Sequence, residues 1–204
     1  MSLIDQLIKD GWLKSPRIIE AFRVIKREDF LPDDSKTLAE SNEALPIGFE
    51  QTISQPLVVA FMLELLEPKN GERILDIGSG SGWTTALLAH LIGKKGKVIG
   101  LEIVPELKVF GENNVSKYAF SNFKILLRDG SRGYNKEAPY DKILCSAEAE
   151  KVPNALKEQL KIGGRIVIPI GNSICVFDKI SKDDFLKKCY PGFAFVPLVS
   201  QKEQ

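Results

Sequence analysis

The chain has 204 residues, of which 44% are hydrophobic and 27% charged, enough for one well-buried domain. Its 28 basic and 27 acidic side chains nearly cancel, so no net field draws it to nucleic acid or to an anionic membrane. No apolar run approaches the length of a membrane span, and the opening "MSLIDQLIKDGWLK" lacks the apolar core and cleavage site of a signal peptide.

The chain is therefore expected to be cytoplasmic and reduced. Its three cysteines, Cys145, Cys175 and Cys189, have no metal-ligand spacing, and no metal site is expected. Cys145 and Cys175 lie in apolar runs and read as buried thiols.

Residues 1–40 read as helical. Ile4, Leu7 and Ile8, then Ile18, Ile19, Phe22 and Ile25, recur at helix spacing, and Ser15-Pro16 opens the second segment. "DFLPDDS" breaks that pattern. A polar loop follows, "ALPIGFEQTISQP" (44–56), and then Leu57, Val58, Phe61, Met62, Leu65 and Leu66 form a helical stripe. Ser54, two residues before Pro56, reads by itself as the N-cap of that helix, with Gln51 and Thr52 as turn formers.

From "ERILDIG" onward the texture alternates. "WTTALLAHLIG", "PELKVFGENNVSKY" and "VPNALKEQL" predict helices between the apolar strands "KVIGLE", "FKILLRDG", "YDKILCS" and "GRIVIPIG". This rhythm predicts an α/β fold with a doubly wound, mostly parallel sheet. "SICVFDKIS" and "FAFVPLV", with no long helix between them, predict an antiparallel C-terminal pair. One domain is expected over 1–204: N-terminal helices and a loop over 1–67, capping an α/β core over 68–204.

"LDIGSGSGW" places Asp76, Gly78, Ser79, Gly80, Ser81 and Gly82 at the end of the first core strand, the edge where open α/β sheets bind ligands. The glycines run G-x-G-x-G, with Trp83 where a dinucleotide fingerprint has its third glycine, and no phosphate loop is present. That disfavours a pyrophosphate. Asp76 suits an ammonium group, Glu102 at the second strand end suits two ribose hydroxyls, and Asp129-Gly130 at the third suits an adenine amino group. Together they point to S-adenosylmethionine. A lone acid at a strand end is more often a cap or a solvated carboxylate. His90 reads as a surface or packing residue and Trp83 as packing.

"ILDIGSGSGW", "LEIVPEL", "RDGSRGY", "APYDKIL", "LKEQLKIGGRIVIPIG" and "FAFVPL" resemble the protein-L-isoaspartate O-methyltransferases, from about residue 20 to the C-terminus. "LPIGFEQTISQP" is the most discriminating part of the resemblance. It implies a Rossmann-like S-adenosylmethionine-dependent enzyme that methylates the free α-carboxylate of isoaspartyl residues in damaged proteins or peptides. It further implies a loop of Gln51, Thr52, Ile53 and Ser54 over the methyl donor, with Ser54 in the catalytic place. The partners implied are isoaspartyl proteins or peptides, with no nucleic acid or membrane, and a monomeric enzyme.

The chain departs from the family's pattern in several places. Glu50 stands where glycine is usual, Glu40 and Asn42 replace a Tyr-x-Asp pair, Glu148 enters "SAEA", Arg128 replaces the glycine before Asp129, and Val59 takes a place some members give to histidine. Glu50 and Glu148 would repel an acceptor carboxylate unless they pair with Arg128 or Lys151 or face solvent. They keep two other readings open: a related methyltransferase with another acceptor, and a decayed S-adenosylmethionine-binding regulator.

Overall fold

The structure, a computed structural model, describes residues 1–199. A seven-stranded sheet runs in the order β5 (Phe123–Leu127), β4 (Lys97–Glu102), β3 (Arg73–Ile77), β6 (Tyr140–Cys145), β7 (Leu160–Pro169), β8 (Ser173–Lys179), β9 (Phe185–Pro191). The first five strands are parallel, and β8 and β9 close the edge antiparallel. The chain steps outward from β3 to β5 and then returns to the other side of β3. The strand order therefore reverses beside β3, and the loops leaving β3 and β4 face the resulting crevice.

Buried Ile, Val and Leu cover both faces of the sheet. On one face, α2 (Pro16–Val24), α3 (Pro56–Leu66) and α4 (Trp83–Ile92) share a single apolar cluster that also takes in Leu7 and Leu13 from the N-terminus. On the other face, α6 (Asn154–Gln159) supplies Leu156 to a second cluster around Tyr140. The N-terminal helices thus pack into the same core as the sheet. Helices α2, α3 and α5 (Pro105–Ser116) each begin with proline, whose fixed φ and missing N–H suit the first helical turn.

Gly82 opens α4 with φ 89°, and a Cβ there would meet the Gly111 carbonyl oxygen at 2.7 Å. The bare backbone at Gly82 and Gly111 lets α4 and α5 touch beneath the glycine loop, the close approach that a third fingerprint glycine provides elsewhere.

Two expectations are corrected. The strand opposite β8 is "FLKKCYP", not "FAFVPLV". An edge strand tolerates exposed Lys187 and Lys188, which blunt it against further pairing, so its hydropathy understates it. Cys175 is not a free thiol: the β8–β9 register sets it opposite Cys189, with Cα atoms 4.1 Å apart, and the two form a disulfide. Cys145 alone is free, buried in β6, and burial pushes its thiol up to about 12. Among the described residues, no helix is long and apolar enough to cross a membrane.

Candidate active site

An open cleft lies over the carboxyl ends of β3 and β4. Its floor is the glycine loop, Gly78 to Ser81, and its flank is Glu102. Opposite stands a two-stranded hairpin, β1 (Leu45–Gly48) and β2 (Gln51–Ile53), which continues through Ser54 into α3. The hairpin rests on the glycine loop, since a Cβ on Gly80 would contact Ile47 Cδ1 at 3.4 Å. Gln51, Thr52, Ile53 and Ser54 all line the cleft.

The three strand-end acids do not act alike. Glu102 lines the cleft and is organised by backbone amides: Oε2 accepts from Gly80 N at 2.8 Å, and Oε1 from Ile103 N and Val104 N at 2.8 and 2.9 Å. A carboxylate accepts about four hydrogen bonds, two at each oxygen, so Oε1 is filled and Oε2 keeps room for one further donor.

Asp76 lies behind the loop, fully buried, and does not line the cleft. Its Oδ2 accepts from the Thr84 and Thr85 hydroxyls at 2.9 and 2.6 Å, while Oδ1 has no partner. Burial pushes its pKa up to about 6; the two threonine hydrogen bonds pull it down, and the Glu102 charge adds to the rise. Asp129, likewise, does not line the cleft. Its Oδ1 caps the short 3-10 turn Gly130–Arg132, accepting from Ser131 N and Oγ, and it is Gly130 that reaches the wall. Asp76 and Asp129 thus brace the loops that line the cleft.

Ser79 Oγ is buried at the wall without a partner, a hydroxyl left for a polar ligand. With the amides of the α4 start and the Glu102 oxygens, the donor and acceptor set fits a small zwitterion joined to a ribose.

The N-cap expectation for Ser54 fails. Helix α3 takes Gln55 as its N-cap residue, without a side-chain cap bond of its own. The Leu57 amide is instead satisfied by Asn42 Oδ1 at 3.0 Å, and Gln55 Nε2 donates back to the Asn42 carbonyl at 2.8 Å. Ser54, half-buried, is thereby left with its hydroxyl free for the cleft. The replaced Tyr-x-Asp pair also finds its use here: Asn42 caps α3, and Glu40 accepts from Leu3 N at 3.1 Å to cap α1 (Leu3–Lys9).

Neither Glu50 nor Glu148 lines the cleft. Glu50 is exposed at the hairpin tip, and Glu148 uses its main chain, donating to Val196 O and accepting from Leu198 N, to hold the segment 196–199 as the remaining wall. That wall was missed because "FAFVPLV" read as a strand. Arg128 also lines the cleft, its guanidinium 5.3 Å from the Tyr134 ring centroid. His90 is half-exposed on α4, away from the cleft.

The family described as protein-L-isoaspartate(D-aspartate) O-methyltransferase (PCMT) matches residues 1–203. A protein-L-isoaspartate O-methyltransferase of Methanopyrus kandleri is 41% identical over 205 residues, covering 98% of this chain and 91% of the relative. One of Ignicoccus hospitalis is 40% identical over 205 residues, covering 98% and 97%. A solved protein-L-isoaspartate O-methyltransferase superposes with TM-score 0.87 at 28% identity, over 97% of this chain and 65% of that one. A beta-aspartate methyltransferase of Plasmodium falciparum, solved with S-adenosyl-L-homocysteine, has TM-score 0.86 and 24% identity over 97% and 96%, a likeness of fold. Sequence, sheet order and cleft agree, and the chain belongs to the protein-L-isoaspartate(D-aspartate) O-methyltransferase family.

Proposed function

We propose that the cleft binds S-adenosylmethionine and that the chain methylates the α-carboxylate of isoaspartyl residues, with Ser54 orienting the acceptor. Glu102 holds the ribose hydroxyls, the loop Gly78–Ser81 and the α4 start receive the methionine end, and Gly130, set by Asp129, borders the adenine. The observation that carries this reading is Ser54, which lines the cleft beside the glycine loop and whose hydroxyl caps no helix.

When bound, S-adenosylmethionine supplies a methyl group on a sulfonium, which an ionised carboxylate takes without a base. The cleft accordingly needs no histidine, and His90 lies outside it. Ser54 donates a hydrogen bond to one acceptor oxygen and leaves the other aimed at the methyl carbon. Gln51 and Thr52, on the same wall, hold the peptide around it. Because Glu50 and Glu148 stay off the wall, no carboxylate of theirs repels the acceptor there. The backbone nitrogen of the adjoining peptide bond attacks the ester carbonyl and expels methanol, closing a succinimide that water opens in part to normal aspartate.

The near balance of 28 basic and 27 acidic residues supports action on peptides and proteins away from nucleic acid and membranes. We take the acting unit to be a monomer, which sedimentation checks. The activity itself is tested with an isoaspartyl peptide and its normal-aspartyl twin. Methyl transfer to the first alone is expected. Equal transfer to both indicates another acceptor, and S-adenosylhomocysteine binding without transfer to either indicates a regulator.

A further inference from the structure

Arg27 lies in the short 3-10 turn Arg27–Phe30, and its side chain turns inward until only 7% of the residue is exposed. A buried cation ordinarily finds a carboxylate. This one donates to four main-chain carbonyls: Nη1 to Ala39 O and Ser41 O at 3.2 and 2.9 Å, Nη2 to Glu43 O and Ser54 O at 2.6 and 3.3 Å. Burial lowers its pKa to about 10, against the opposing pull of the Glu40 charge, and it stays charged at neutral pH.

The four carbonyls come from both roots of the hairpin. Ala39, Ser41 and Glu43 precede β1, and Ser54 follows β2. The Ser54 carbonyl is also one that helix α3 does not use, because its first intrahelical bond runs from Val59 N to Gln55 O. On its other side, the Arg27 guanidinium carbon stands 5.5 Å from the ring centroid of Trp83, which follows Gly82 as the first residue within α4 and lines the cleft. One planar fork thus ties the serine peptide to the hairpin entry and to the helix carrying the glycine loop. A lysine ammonium, a point charge with three donors, cannot hold four carbonyls in that arrangement.

We infer that Arg27 is a positioning residue for methyl transfer: it fixes the Ser54 peptide, and with it the hydroxyl, relative to the donor site. The inference rests on the reading of Ser54 as the group that orients the acceptor. It assigns to the N-terminal region a part in turnover beyond covering the core.

The test is a double-mutant cycle on kcat and KM, with Arg27→Lys and Arg27→Met each alone and combined with Ser54→Ala, all checked for a cooperative melt. Folded Arg27→Lys is expected to keep its KM for S-adenosylmethionine within about threefold and to lose roughly ten- to a hundredfold in kcat. In the Ser54→Ala background the same substitution should change kcat by less than about threefold, since residues acting through one another are not additive. A purely structural arginine would instead lower kcat by the same factor in both backgrounds. That outcome, unchanged kcat in folded Arg27→Lys, or failure of both Arg27 variants to fold, overturns the inference. Wild-type turnover by Ser54→Ala alone removes the serine's role, and the positioning role with it, and that single measurement tells the two failures apart.

Discussion

Asn42 Oδ1 accepts the backbone N–H of Leu57 at 3.0 Å from fifteen residues away, and so closes the helix end that Ser54 leaves open. The capping energy of α3 therefore belongs to Asn42. Asn42→Ala is expected to lose about 1 kcal/mol in urea unfolding, the usual worth of an N-terminal cap. Asn42→Asp keeps the acceptor and adds a charge favourable at a helix start, so its stability should match or exceed that of the wild type.

Ser54→Ala, by the same geometry, should leave stability within about 0.5 kcal/mol of wild type, as for a surface substitution. Its turnover of an isoaspartyl peptide should fall by about ten- to a thousandfold, the share of an orienting hydrogen bond. Ser54→Asp should be at least as inactive, because its carboxylate would stand where the acceptor must lie. A stable and fully active Ser54→Asp would end the orienting role.

Glu102→Ala removes the group that gathers the Gly80, Ile103 and Val104 amides at the cleft. Calorimetry should show S-adenosylhomocysteine binding weakened by about 1–3 kcal/mol, the cost of losing charged hydrogen bonds. Unchanged affinity would remove Glu102 from the ribose site.

Asp76, with a pKa near 6 in the folded chain, binds its proton more tightly there than when unfolded. The stability it contributes is fully present below about pH 4 and is lost as the pH rises through 6, when the buried carboxylate must ionise. Asp76→Asn still accepts from Thr84 and Thr85 but does not titrate. Its stability relative to wild type should rise by roughly 1–3 kcal/mol between pH 4 and 7, measured without ligand. The amide's extra donor adds only a fixed offset. A difference that stays flat over that range would show that Asp76 ionises normally.

The parallel half of the sheet was legible because strands covered on both faces carry unbroken apolar runs, as "ERILDIG" and "KVIGLE" do. The misreadings share a cause: they depend on register or on distant partners. Cys189 lies in a polar stretch, and only the pairing of β8 with β9 sets it against Cys175. The choice between Ser54 and Asn42 as cap turns on a contact fifteen residues long, beyond the reach of local pattern. Asp76 and Glu102 both read as strand-end acids. Side chains alternate between the faces of a strand, though, and Asp76 points to the α4 threonines while Glu102 follows its strand into the loop. Spacing alone does not tell the two apart.

The wall formed by residues 196–199 is fastened through the main chain of residue 148, by its N–H and its carbonyl, with the side chain taking no part. Such a fastening is blind to sequence drift. Any residue able to offer an N–H can occupy position 148 without loosening the wall, and a glutamate could arise there at no cost to the cleft. Proline is the one amino acid the position refuses, because it brings no N–H for the Val196 carbonyl.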